Sequence, residues 1–255
     1  MDDVVLWHFP ISHFNEKVRW TLDLKRIPHR RVALGPDYLV RALWATGKAT
    51  LPVLFIGRRA IGDSTRIIAA LEELVPTPAV YPRDEALRRH ALELEDRLDQ
   101  GLGPAVRSAI VGTLFMSEDA ASAVDVITTG MPAFANRVVR SALPAFRRYY
   151  FYRHKIDGAR VEEYRRTTLA EMDRLERERR GRDYLVGDAF SVADLTAAAM
   201  LCAIVEPPQM QYPPAIPYPA ALAEFSDALL RHPMAGWTRE MYRRHRGTSA
   251  EVARA

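Results

Sequence analysis

Leu51-Pro52-Val53 and, ten residues after Val53, the pair Asp63-Ser64 are the residues whose types and spacing best support chemistry. Pro52 opens an apolar run over 53–56. Proline cannot donate to a sheet ladder, so at a strand start it marks an edge or a deliberately exposed main chain. A cis bond before Pro52 would leave the main chain of Val53 free to pair with an extended ligand. Asp63 and Ser64 open a helix, where unpaired N–H groups and the helix dipole attract a carboxylate. The two motifs together predict a site for a small peptide-like molecule that carries a carboxylate.

Other reactive side chains are few. Ser12 follows Pro10-Ile11 and opens a helix; its hydroxyl is a helix cap, a donor to a ligand, or both. His13 sits beside it, with no orienting carboxylate nearby in sequence, and reads as a partly exposed histidine at a helix start. The single cysteine, Cys202, lies in an apolar helical stretch and reads as a buried, inert thiol. It permits no internal disulfide, as suits a reducing compartment. The seven histidines show no spacing that makes a metal site, so none is expected.

These motifs need elements to hold them. Residues 4–9 (VVLWHF) read as a strand. Residues 13–26 read as a helix with Phe14, Val18 and Leu22 on one face, and 29–34 as a second strand. Such a β-α-β unit joins parallel strands. A loop leads to a hairpin over 53–61 that turns at Gly57-Arg58, and a helix over 64–75 closes the unit. The order β-α-β, loop, β-β-α is that of a thioredoxin-like domain.

The second half reads as all-helical. Leu87, Ala91, Leu94, Leu98 and Leu102 form one stripe over 84–102, and Val161, Tyr164, Thr168, Met172 and Leu175 another over 161–179. Further helices are expected near 104–115, 132–152, 191–205, 219–231 and 234–245. Val75-Pro76-Thr77-Pro78 is the natural linker, the proline-dense stretch 206–219 reads as loop with polyproline character, and 247–255 as a disordered tail. The expected domains are therefore 1–76 and 84–246. Ser191-Val192-Ala193-Asp194 reads as a capping box with a structural role.

Ile11-Ser12-His13-Phe14-Asn15-Glu16-Lys17-Val18-Arg19-Trp20, Leu51-Pro52-Val53-Leu54, Asp63-Ser64 and Phe190-Ser191-Val192-Ala193-Asp194-Leu195, in that order, resemble the glutathione S-transferase superfamily of the serine/cysteine type. The resemblance covers 4–75 and resumes over 185–205; nothing between about 104 and 160 carries it. It implies an α/β thioredoxin-like N-terminal domain and an all-α C-terminal domain. It also implies glutathione as co-substrate, with Ser12 donating to the sulfur and Val53, next to Pro52, supplying its main chain. Ser64 would hold the γ-glutamyl carboxylate and Asp63 the adjacent ammonium. Asn15 stands where such relatives carry cysteine, which argues for a hydrogen-bond donor site over mixed-disulfide chemistry.

A second substrate, a small apolar electrophile, would lie between the Ser12 loop and the helices after residue 84. Candidate lining residues are Trp7, Phe9, Ile11, Phe14 and the aromatic run 149–152. The resemblance further implies a cytoplasmic homodimer. A non-catalytic carrier or assembly module on the same fold, and an enzyme using another small thiol, are the alternatives. Composition agrees with an enzyme of this kind. The net charge is +4, the arginines are interleaved with acids as in 162–180, and no basic stripe studded with aromatics points to nucleic acid. No apolar run reaches membrane-spanning length, and no secretory signal is evident at the N-terminus.

Overall fold

The computed structural model describes residues 3–117, 120–214, 218 and 220–252. The chain opens with β1 (Val4–His8), α1 (His13–Leu24), β2 (Arg30–Ala33), α2 (Tyr38–Thr46), β3 (Val53–Ile56), β4 (Arg59–Gly62) and α3 (Ser64–Leu74). The strands form one sheet in the order β2-β1-β3-β4. β1 and β2 are parallel, as a helical crossover requires, and the other neighbours are antiparallel. Val4, Leu6, Leu54 and Ile61 from the strands meet Val18, Leu22, Ile67 and Leu71 from α1 and α3 in one buried core.

The register gathers one end of this sheet. His8 pairs with Ala33, Trp7 with Val53, and Val53 with Gly62. The chain therefore leaves β1 toward Ser12, leaves β2 toward α2, enters β3 through Leu51-Pro52 and leaves β4 toward Asp63-Ser64 all at the same end.

Among the described residues nine helices follow: α4 (Glu85–Gln100), α5 (Leu102–Met116), α6 (Ala120–Ile127), α7 (Ala133–Ser141), α8 (Leu143–His154), α9 (Gly158–Arg179), α10 (Val192–Val205), α11 (Ala220–Leu230) and α12 (Pro233–His245). Every residue of α10 is buried. A helix apolar on all sides has to be enclosed, and α1, α4, α5, α11 and α12 enclose it. Asp194 opens it: its carboxylate accepts from Leu185 N (2.7 Å), Ser191 N (2.9 Å) and Ser191 Oγ (2.8 Å). Burial pushes that carboxyl up to about 6 against the pull of these bonds.

Several expectations need correction. A helix, α2, occupies what reads as loop; Gly47 ends it with a positive φ of 75°. The single helix expected over 132–152 is two, α7 and α8, parted at Ala142, and Pro144 stands in the first turn of α8. Pro144 cannot supply an N–H to a continuous helix. The 75–82 linker is tied down: Lys25 Nζ donates to Val75 O (2.7 Å) and Pro78 O (2.8 Å).

The tail is ordered through residue 252. Arg246 is fully buried and donates to Glu16 (2.6 Å) and Asp23 (2.8 Å). Ala250 N donates to Asp23 (2.8 Å), and Val252 N to His29 O (2.9 Å), so Glu251 bridges alongside β2. Buried charge on α1 holds the segment there, which hydropathy alone does not reveal. The rest of the expected tail, 253–255, and residues 215–217 and 219 of the proline-dense loop lie outside the described residues.

Candidate active site at the sheet end

Ser12 precedes α1 in extended conformation (φ −76°, ψ 125°), and its hydroxyl makes no capping bond. The main chain alone forms the turn, with Ser12 N donating to Phe9 O (3.1 Å) and Glu16 N to Ser12 O (2.9 Å). Among the described residues the hydroxyl has no hydrogen-bond partner, and it lies half-buried at the wall of a cavity of about 320 Å³. Asn15, one turn on, is buried, and its Oδ1 accepts from Phe9 N (3.2 Å), pinning the loop from below. Arg19 pins it from the side, with a guanidinium nitrogen 3.0 Å from His8 Nδ1. Burial first, and then Arg19, hold His8 well below the usual histidine range, so the ring is neutral and accepts from Arg19.

Gly130 closes the loop from above. It has a φ of +71°, and a Cβ there would stand 2.9 Å from Pro10 and 3.0 Å from Tyr212. Both the backbone conformation and the space therefore favour glycine. Gly103 on α5 does the same for Phe14, whose ring would lie 2.7 Å from an added Cβ.

The remaining predicted residues sit beside the cavity. Leu51–Pro52 is cis, Pro52 is buried, and Leu51 borders the cavity. Val53 does not have the free main chain expected of it. It lies in an interior strand between Trp7 of β1 and Gly62 of β4, with its side chain wholly buried. The main chain that lies outside the ladder is at Leu51, one step before the proline.

Asp63 caps α3, its Oδ1 accepting from Arg66 N (3.2 Å), in a rarely populated conformation (φ 77°, ψ 126°). Such backbone strain in a non-glycine residue clusters at ligand sites. Ser64 is buried in the first turn of α3, and neither it nor Asp63 lines the cavity itself. Thr65, next in line, donates to Glu95 (3.1 Å) and Asp99 (2.9 Å), which also take Lys17 Nζ (3.0 and 2.8 Å). That cluster locks the starts of α1 and α3 to α4, and with them Ser12 and Ser64.

The cavity itself runs from this sheet end to the helical domain. Phe9, Ile11, Phe14, Tyr149 and Tyr150 line it as expected; Trp7, Phe151 and Tyr152 do not. Trp7 packs at a tilt on Phe55, Phe151 packs on Phe115, and Tyr152 points to solvent. His13 is also a correction: it is 5 % exposed and lines the cavity. Burial, then Arg107 and Lys17, push its pKa down to about 3, so the ring is neutral, and its Nε2 has no hydrogen-bond partner among the described residues. Sequence reasoning missed Tyr38 on α2, Arg107 on α5 and Arg153 on α8, all at the cavity wall.

Cys202 is buried and its thiol is pushed up to about 12 by burial, so it is inert as expected. No group of metal-ligating side chains, and no helix long and apolar enough to cross a membrane, occurs among the described residues.

Residues 6–79 match the family model described as the glutathione S-transferase N-terminal domain, and 131–229 the C-terminal domain. The second match covers part of the stretch where no resemblance is visible by eye. No curated protein matches the chain. Among solved structures, the β-etherase LigF from Sphingobium sp. strain SYK-6 shares 18% identity with a TM-score of 0.61, over 93% of this chain and 98% of that one. A theta class glutathione S-transferase from Xanthomonas axonopodis pv. citri, with glutathione bound, shares 16% identity with a TM-score of 0.59, over 98% and 100%. A glutathione S-transferase from Methylobacillus flagellatus KT, with GSH bound, shares 17% identity with a TM-score of 0.56, over 92% and 98%. At these identities the structures establish the fold, while the two domain models, in order along one chain, establish descent: the protein belongs to the glutathione S-transferase superfamily.

Proposed function

We propose that the protein is a cytoplasmic, homodimeric glutathione transferase that activates the thiol of glutathione for attack on a small electrophile. The uncapped hydroxyl of Ser12 at the cavity wall carries this reading. A helix N-cap serine normally spends its hydroxyl on the helix. Here it is left to donate to a sulfur anion.

In this reading Leu51 supplies main-chain pairing to the cysteinyl unit, as in strand addition. Ser64 at the start of α3 takes the γ-glutamyl carboxylate, where helix dipole and N–H groups favour an anion. Asp63 lies beside the ammonium. A free thiol has a pKa of about 8.5 and reacts as thiolate. The Ser12 hydroxyl, the Asn15 amide and the nearby start of α1 each favour the anion. The thiolate's electron pair then forms the new C–S bond, and the leaving group departs with the pair of the bond that breaks. Catalysis is by proximity and electrostatic stabilisation.

The test is Ser12→Ala. Turnover with a panel of small electrophiles is expected to fall about tenfold to a hundredfold, one charge-assisted hydrogen bond's worth, with glutathione still bound. Unchanged turnover would remove Ser12 from the chemistry. Failure of glutathione to bind, with another cellular thiol binding in its place, would reassign the co-substrate. Sizing of the purified protein tests the dimer.

A further inference from the structure

Among the described residues the cavity wall holds two arginines, Arg107 and Arg153, and not one aspartate or glutamate. Arg107 comes from α5 and is only partly accessible; its Nε is buried without a hydrogen-bond partner. Among the described residues no carboxylate pairs with either arginine. Both bear on the hydroxyl of Tyr38, and Arg107 bears on Tyr150 and His13 as well. Among the described residues, the titratable groups that Arg107 bears on are thus uncharged. His13 is neutral, Tyr38 and Tyr150 are protonated, and Arg153 is positive.

The wider surroundings have the same sign. Between Asp125 and Asp157 the chain carries five arginines and a lysine and no acidic residue. Among the described residues Arg140 alone of these forms an ion pair, with Asp125 at 2.6 Å. Arg153, exposed at the cavity rim, belongs to this stretch. Charges of one sign around a low-dielectric cleft focus the field and raise the local concentration of the opposite charge.

A partly buried guanidinium with no acid partner is costly unless something supplies the missing charge. We propose that the acceptor substrate is an apolar, aromatic-sized molecule bearing a single carboxylate, which Arg107 receives in the cavity and Arg153 draws in at the rim. The apolar walls from Phe14, Ile110, Val111 and Leu114 take the body, and the arginine fork takes the anion in a two-bond geometry. This rests on the transferase reading only for naming the cavity the acceptor side. Glutathione also carries carboxylates, so the test separates the two sources of that group.

Binding of naphthalene-2-carboxylate and of naphthalene-2-carboxamide is measured by calorimetry on the intact protein, without glutathione. The carboxylate is expected to bind about tenfold or more tightly than the amide, as a charge-assisted pair provides. Arg107→Leu should abolish that preference, Arg107→Lys should restore part of it, and glutathione affinity should stay within about twofold in both. Equal affinity for the two probes in the wild type, or a preference that survives Arg107→Leu, overturns the proposal. So does a loss of glutathione binding that matches the loss of carboxylate binding, which would assign Arg107 to the tripeptide. Arg153→Gln on the exposed rim is a second variant: it should slow carboxylate association and flatten its salt dependence, and an unchanged rate overturns the steering role. Failure of the wild type to bind glutathione sinks the transferase reading alone, because the naphthalene probes are read without it.

Discussion

The molecule uses arginine in two opposite ways. Along α1, Arg19, Arg31 and Arg246 are buried with the carboxylates of Glu16 and Asp23. Burial opposes both carboxylate charges, yet the arginines outweigh it and hold the two groups below the usual range. Asp23 alone receives Arg31, Arg246, Gln211 and the main chain of Ala250. On the cavity side, Arg107 and Arg153 have aromatic and apolar company and no acid. The first set joins β2, α1 and the C-terminal segment. The second meets no carboxylate among the described residues. Cations matched inside the protein hold the fold; cations left unmatched at a cavity are available to a ligand.

Arg246→Ala strikes the matched set hardest. It leaves Glu16 and Asp23 short of a partner in a buried place, which should cost about 3–5 kcal/mol. Denaturant unfolding would show it, and a loss under about 1 kcal/mol would mean the network is ornamental. Asp194→Ala tests a matched carboxylate that no arginine serves. It strips the cap of α10 and orphans Leu185 N, for an expected loss of about 2–4 kcal/mol.

Acid should separate the two regions further. The folded pKa of His13 is about 3, below its ordinary 6.5. Above pH 6.5 both states are neutral there. Below it the unfolded chain takes up the proton first, so stability falls as pH drops toward 3. Asp194, with a folded pKa of about 6, works the other way, because the native state holds the extra proton between 3.8 and 6. His13→Gln should therefore recover about 2 kcal/mol of the loss between pH 7 and pH 5. Parallel stability curves for wild type and variant would refute this. The smallest effect belongs to the unmatched set: Arg107→Leu should change stability by no more than about 0.5 kcal/mol, or raise it. A drop comparable to that of Arg246→Ala would erase the distinction.

Much of the sheet end is legible in the residues themselves. Alternation and helical spacing place β1, α1, β2, the 53–62 hairpin and α3 within a residue or two, because each is a short apolar pattern bounded by glycine, proline or a polar cap. Ser12 is found because it follows a strand and opens a helix. The misses have physical causes. α2 buries a single side chain, that of Ala42, and Trp44 is 91 % exposed, so no core-facing stripe announces it. Val53 was expected to offer its main chain because a proline at a strand start suggests an edge; β4 covers that edge, which only strand order reveals. Arg107 and Arg153 look like ordinary surface arginines until their partners are sought. The acid-free stretch after Asp125 is the signal that could have found Arg153. The ordered segment 246–252 is invisible to hydropathy because charge holds it.

That segment has a consequence for how the chain is made. Asp23 leaves the ribosome some two hundred residues ahead of its second guanidinium, at position 246. The thioredoxin-like half therefore emerges with Asp23 served by Arg31 but not yet by Arg246, and with an uncovered outer strand. It is completed only once residue 246 has been made, so its maturation waits on translation of the helical half, and a nick near residue 246 should be felt first in the half that holds Asp23.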